Sequence, residues 1–215
     1  DIILMGMRWY VAYPLSYRHV EELMEERGVS VDHATIQRWV VKYSAQLEKA
    51  FHRRKRPVGR SWRMDETYIR VKGEWQYLYR AVDKSGQTID FLLTEYRDTE
   101  AALRVLTQAI HRHGVPKKIT IDGSDTNETA IKRYNEIHGT HIMIRQVKYL
   151  NNVIEQDHRA VKRVTRPMLG FKSFAAAQAT LVGIELMHML KKGQLMGETR
   201  AEGLTPAEHF YSLDA

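Results

Sequence analysis

Cysteine is absent from the chain, which excludes a disulfide scaffold and any thiolate-bound zinc and fits a reducing compartment. No apolar run approaches the length of a membrane span, and no signal peptide precedes the chain. Internal repeats and low-complexity tracts are missing too. These absences leave a soluble, cytoplasmic protein with no membrane partner as the expectation. A starting Met is also lacking: the chain opens at Asp1 inside an apolar helical pattern, so native residues are expected to precede it. What is present is a hydrophobic fraction of 43% in 215 residues, enough for one medium domain and a small one. The net charge of +7 favours a polyanionic partner. Its excess sits in two runs that no acid interrupts. One is Arg53, Arg54, Lys55, Arg56 and Arg60; the other is Arg159, Lys162, Arg163, Arg166 and Lys172.

Residues 1–50 read as all-helical. Ile3, Met7, Tyr10 and Val11 form an apolar stripe that Pro14 ends, and Ser16 can cap a second helix carrying Val20, Leu23 and Met24. After a turn at Gly28, a third helix carries Ile36, Trp39, Val40, Tyr43 and Leu47 at helical spacing. Helix, glycine turn and helix outline a helix-turn-helix, whose second helix meets base edges with its first residues. Those positions are His33, Gln37 and Arg38, with Lys42 nearer the DNA backbone; an ordinary helical hairpin has the same outline. Residues 51–61 read as a basic linker, and 62–215 as the larger domain. There the pattern turns to period two, with strands expected over 63–71, 75–82 and 88–95. A helix over 99–113, a strand over 118–121, a helix over 127–138 and a strand over 141–146 follow, then helices over 152–164 and 174–190. Three meandering strands followed by alternating helix and strand predict a mixed five-stranded α/β sheet flanked by helices.

Three acidic residues stand out. Asp65 lies within the first strand, Asp122 ends the fourth before Gly123, and Glu155 lies in the first turn of a helix after Asn151 and Asn152, its possible caps. A carboxylate in a half-buried strand is costly to desolvate unless its charge is compensated. Hard oxygen ligands without Cys point to Mg²⁺ or Mn²⁺, and two such ions about 3.5–4 Å apart serve in-line phosphoryl transfer. Strands one and four can be neighbours, which would bring Asp65 and Asp122 together. Three unrelated structural acids remain the alternative. Glu66 should point to the opposite face of its strand, Asp157 away from Glu155, and Asp83, Asp90, Asp98 and Asp125 should serve turns, surface or caps. On the helix after Glu155, His158, Arg159, Lys162 and Arg166 recur at three- and four-residue spacing, a basic ridge suited to a phosphodiester backbone.

Four segments carry a family resemblance. MDETYIRVKGEWQYLYRAVD (64–83), TIDGSDTNETAI (120–131), RQVKYLNNVIEQDHRAVKRVTRPMLGFKSF (145–174) and SYRHVEELMEERGVSVDHATIQRW (16–39) resemble bacterial insertion-sequence transposases. The similarity is greatest to the replicative insertion-sequence-six family, and it spans essentially the whole chain. The resemblance implies an RNase H-like, retroviral-integrase-like core with an Asp-Asp-Glu metal triad mapping onto Asp65, Asp122 and Glu155. It implies that Lys162 is the basic residue seven positions after the glutamate, and that the protein acts on double-stranded element ends and target DNA as a homodimer or larger assembly. The expected activity is metal-dependent strand cleavage followed by transfer of the 3′-OH, without a nucleotide cofactor. Two rivals are a Tyr or Ser recombinase, drawing on Tyr211 and the His141 to Arg145 spacing, and a helix-turn-helix regulator whose larger domain only dimerises.

Overall fold

The computed structural model describes residues 2–196 and 203–214. Two compact units divide the chain: Asp1–Arg56, Arg70–Gly73 and Ala160–Ala215 form one, and Pro57–Ile69 with Glu74–Arg159 form the other.

The first unit is helical. It contains α1 (Ile2–Ala12), α2 (Tyr17–Glu25), α3 (His33–Arg53), α7 (Phe174–Lys191) and α8 (Pro206–Tyr211). Ser16 caps α2, its hydroxyl accepting from the His19 N–H while the His19 ring accepts from the Ser16 N–H. Asp32 caps α3 by accepting from the Ala34 and Thr35 amides. Residues 26–32 separate the two helices, with Gly28 at φ +74° supplying the left-handed step. α3 runs on to Arg53, so part of the expected basic linker is helix. α7 packs on α3 and α1. A Cβ on its Gly183 would stand 2.7 Å from Val11 Cγ1 and 3.2 Å from Ser44 Oγ, so only glycine allows this approach. The C-terminal helices thus join the N-terminal ones in a single packing unit.

The second unit is built on five strands: β1 (Ser61–Val71), β2 (Glu74–Asp83), β3 (Thr88–Thr94), β4 (Lys118–Ile121) and β5 (Met143–Gln146). Their order is β3-β2-β1-β4-β5. β2 and β3 are antiparallel, while β1–β4 and β4–β5 are parallel. The sheet is mixed, as the pattern predicts, and β1 and β4 are neighbours. α4 (Thr99–His113) and α5 (Asp125–His138) cover one face. There Trp62, Met64, Tyr79, Ala81, Ile119 and Ile121 pack with Ala102, Leu106, Ile131 and Tyr134. Asp98 caps α4 and Ser124 caps α5. Alternation sends Arg63, Asp65, Arg80, Thr120 and Arg145 to the opposite face. That face receives a 3₁₀ turn (Lys148–Asn151) and the first half of α6 (Asn152–Thr165).

Candidate active site

β1 and β4 set the level of the two aspartates. Arg63 is registered with Thr120 across the parallel pair. Asp65 and Asp122 each lie two residues further along the chain, so the register, carried on, brings them to one level and one face at the carboxyl end of β4, within β1. Open α/β sheets place their chemistry at this end. β4 stops at Ile121, and Gly123 at φ +102° turns the chain sharply towards α5, leaving Asp122 exposed at the exit. One Asp122 oxygen accepts from the Ser124 N–H at 3.2 Å.

The helix bearing Glu155 is anchored by contacts from that face. Arg63 Nε donates to the Leu150 carbonyl at 3.0 Å, which docks the 3₁₀ turn on β1. Arg80, fully buried in β2, meets Asp157 at 2.7 Å. His158 Nδ1 lies 3.8 Å from Asp65 Oδ2, beyond hydrogen-bond range. Glu155 is exposed, and Asp157 turns from it towards Arg80. Arg145 donates twice to Thr120 Oγ1, at 3.1 and 2.9 Å. Burial and the neighbouring Arg145 guanidinium pull Arg63 below its ordinary pKa.

Electrostatics single out Asp65. Burial first, then the charges of Glu66, Asp122 and Glu155, push its carboxyl up to about 7. Asp65 therefore feels the charges of the other two carboxylates, which oppose its ionisation. Among the described residues, no three His, Asp or Glu side chains form a ready-made cage for an ion. The donors nevertheless fit a hard divalent cation: they are oxygens, and the buried one carries a charge that a cation would compensate.

The other acids find separate partners. Glu66 faces α5 and α4, ion-paired with Arg97 and accepting from Asn127 Nδ2 at 3.2 Å. Asp83 organises a turn, accepting from the Gly59, Ser85 and Gln87 amides. Asp90 departs from the expected turn, surface or cap role: it is buried in β3 and held by Arg112 at 2.9 Å and Gln108 at 3.0 Å. Asn151 supplies no cap; it is fully buried, and neither its amide nitrogen nor its amide oxygen has a partner. Sequence reasoning misses the Arg63, Arg80 and Asn151 environments, although alternation in β1 and β2 is a signal that places both arginines on the face of Asp65.

Arg159 is exposed on α6 in the sheet unit; Lys162, half-buried, and Arg166, exposed, belong to the helical unit. At the start of α3, His33 Nδ1 lies 2.9 Å from Glu21 Oε2 of α2. Gln37 is half-buried. Arg38 is exposed and donates to Thr35 Oγ1 at 2.6 Å, with Asp32 at 4.0 Å. Lys42 is exposed, its ammonium 4.9 Å from the centre of the Tyr43 ring. Tyr211 accepts from Arg8 Nε at 3.1 Å.

The fold is that of a retroviral-integrase-like, RNase H-like core. The HTLV-2 integrase catalytic core domain, solved in complex with magnesium, superposes with a TM-score of 0.50 at 15% identity, covering 71% of this chain and 96% of that one. Residues 59–194 match a family model described as a DDE domain, that of IS240-type transposases. The transposase of the insertion sequence-like element IS431mec from Staphylococcus aureus is 39% identical over 197 residues, covering 89% of this chain and 85% of its own. The transposase of element IS257 in transposon Tn4003, also from Staphylococcus aureus, matches to the same extent. The chain belongs to the DDE transposases of bacterial insertion sequences, in the insertion-sequence-six family. It is therefore a DNA transposase, an enzyme of the polynucleotidyl transferase class. No helix among the described residues is long and apolar enough to cross a membrane.

Proposed function

We propose that Asp65, Asp122 and Glu155 are the three carboxylates of this transposase, cutting DNA strands at the ends of an insertion sequence and joining them to target DNA. The observation that carries this is the common level of Asp65 and Asp122 on adjacent parallel strands, together with the charge of Glu155 felt at Asp65. Asp65 and Asp122 would hold one Mg²⁺ or Mn²⁺, and Asp65 and Glu155 a second. Such ions, when bound, supply Lewis-acid polarisation of the scissile phosphodiester and a lowered pKa for the attacking water.

The chain itself positions and holds. Arg63 and Arg80 fix the 3₁₀ turn and α6 over β1 and β2, which sets Glu155 relative to the aspartates. Arg159, Lys162 and Arg166 hold DNA phosphates beside the cut. In cleavage a water oxygen bonds to phosphorus while the P–O3′ bond breaks, leaving a 3′-OH and a 5′-phosphate. In strand transfer that 3′ oxygen bonds to a target phosphorus and a target P–O bond breaks. One phosphodiester replaces another, so no nucleotide cofactor is consumed.

Residues 1–50 serve end recognition as a helix-turn-helix, 51–61 act as the basic connection, and 62–215 carry catalysis. Gln37 and Arg38 read bases and Lys42 a phosphate; with Nδ1 engaged by Glu21, His33 meets DNA through Nε2. Two ends must be held together, so the working form is a homodimer or larger, acting on cytoplasmic DNA. The test is incubation with an end-containing duplex, with and without Mg²⁺. A metal-dependent nick bearing a 3′-OH is expected, and its absence from the active preparation sinks the assignment. A regulator would bind the same duplex without cutting it.

A further inference from the structure

β1 continues well past its pairing with β4, whose register ends at Arg63 and Thr120. β2 begins before its pairing with β3, which starts at Tyr77 and Thr94. The hairpin formed by the end of β1 and the start of β2 is therefore two-stranded, apart from one isolated bridge between Val71 and Phe171. Lys72 at φ 52° and Gly73 at φ 84° close it as a two-residue turn of the type that suits twisted strands.

This hairpin carries an aromatic cluster that the transposase reading leaves without a role. The rings of Tyr68 and Tyr77 lie 5.5 Å apart at 56°, and those of Tyr68 and Trp75 lie 6.2 Å apart at 78°. The rings meet edge-on or tilted rather than stacked face to face. Tyr68 is 47% exposed, Trp75 61% and nearby Tyr96 68%. The Thr94 hydroxyl, donating towards the carbonyls of Tyr77 and Tyr96, ties the Tyr96 backbone to the same end of the sheet. Exposed aromatics so grouped mark a binding surface.

Position selects the occupant. Tyr68 is three residues beyond Asp65 on the same strand, about 10 Å along it and on the opposite face. A DNA strand leaving the carboxylates need only pass β1 between its pairing with β4 and its bridge to Phe171 to reach the rings. Arg97, paired with Glu66 on that face, adds a cation beside them. The exposed area of Tyr68, Trp75 and Tyr96 together is roughly 260–440 Å², taking each side chain at its usual 150–250 Å². That is about a third to a half of the ~800 Å² per partner that a stable protein interface buries, whereas one or two stacked bases need no more.

We propose that Tyr68, Trp75 and Tyr77 form a stacking platform for unpaired bases of the DNA strand freed or frayed at the cut. The proposal rests on the reading that cleavage occurs at Asp65, Asp122 and Glu155. Base faces are all π-surfaces, so the platform tolerates any sequence.

The experiment uses the whole chain in chelator, so that nothing is cut. Fluorescence anisotropy compares a blunt duplex with the same duplex bearing an unpaired thymidine tail. The wild type binds the tailed DNA more tightly, and the tail quenches the Trp75 emission, identified by its loss in Trp75→Phe. Trp75→Ala and Tyr68→Ala weaken binding of the tailed DNA about tenfold, within the range for one lost base stack, and leave the blunt duplex unchanged. Trp75→Phe, which keeps a ring and the fold, retains the tail preference. Equal wild-type affinity for the two DNAs, or equal loss on both in the variants, overturns the platform. A changed sedimentation coefficient with the tail preference intact in Trp75→Ala and Tyr68→Ala also overturns it, assigning the rings to contact between copies instead. Failure of the transposase reading has a different signature: no metal-dependent nick by the wild type.

Discussion

The two faces of the sheet treat buried acids in opposite ways. On the face under α4 and α5, Glu66 and Asp90 are each given a guanidinium, from Arg97 and Arg112, and a side-chain amide, from Asn127 and Gln108. Around them Trp62, Met64, Ile119 and Ile121 pack in a core of helices and strands. On the other face the arginines are spent elsewhere: Arg63 on a carbonyl, Arg145 on a threonine and Arg80 on Asp157. Asp65 is left with the Glu66 N–H as a donor, an imidazole at 3.8 Å and the charges of three other carboxylates, and its pKa rises to about 7. One face is balanced for stability, while the other holds an under-compensated carboxyl within β1, beside the end of β4. An imbalance of that kind marks a functional site more often than a structural one.

Removing the imbalance should have the largest effect. Asp65→Asn, Asp122→Asn and Glu155→Gln keep shape and remove a ligand charge. Each should lower cleavage and strand transfer by ~10²–10³-fold or more, the order for losing a group that stabilises transition-state charge, while binding to end DNA persists. A gel assay of nicking beside an anisotropy titration reads both, and near-normal transposition in any variant removes that residue from the site. Next in size is the ion pair that anchors α6. Arg80→Met leaves Asp157 buried without its guanidinium and should cost ~3–5 kcal/mol in urea unfolding. Adding Asp157→Leu should recover much of that loss, because the penalty lies in the stranded charge. If the double variant is as unstable as the sum of the singles, the pair is not the anchor.

Much of this arrangement is legible in the order of the residues alone. The β-branched alternation of 61–71 and 118–121 gives both strands within two residues, and a meander followed by a crossover makes β1 and β4 neighbours. The parity of β1 separates Asp65 from Glu66, whose partners lie with α4 and α5. Asp98 marks the start of α4 as a cap. Hidden from sequence are pairings between distant residues, such as Arg80 with Asp157 and Arg112 with Asp90, because an ion pair across elements leaves no periodic trace. The packing of α7 with the N-terminal helices is hidden for another reason. Its buried residues include Thr180, Leu181, Ile184, Leu186, Met187 and Leu190, so the apolar surface runs round the helix and names no partner. Asn151 reads as a cap because Asn favours that position, and only its burial shows otherwise.

A contrast between the two basic elements extends the comparison to smaller effects. Arg38→Ala, at the start of α3, should reduce preference for element ends by ~1–3 kcal/mol if its guanidinium makes a bidentate base contact. Lys162→Ala should weaken specific and random duplex alike and reduce the salt slope by about one unit. Competition between the two duplexes across a salt series separates these roles, and equal losses on both DNAs for Arg38→Ala would remove α3 as the reader.

The smallest expected effect tests the imbalance at its source. Asp65 is crowded by like charges and largely removed from water, so in the metal-free protein its ionised form opposes folding. Asp65→Asn keeps the side chain's volume and discards the charge. In chelator at neutral pH the variant should therefore be more stable than the wild type, by ~1–2 kcal/mol. Adding Mg²⁺ should raise the wild-type melting temperature, because an ion bound only by the folded state stabilises it by mass action. The variant, with the buried ligand charge gone, should respond much less. Glu66→Gln is the control from the balanced face: it breaks a paired charge, so it should destabilise the protein and leave the response to Mg²⁺ intact. If Asp65→Asn destabilises the chelated protein as Glu66→Gln does, Asp65 is a balanced structural acid and the distinction between the two faces is lost.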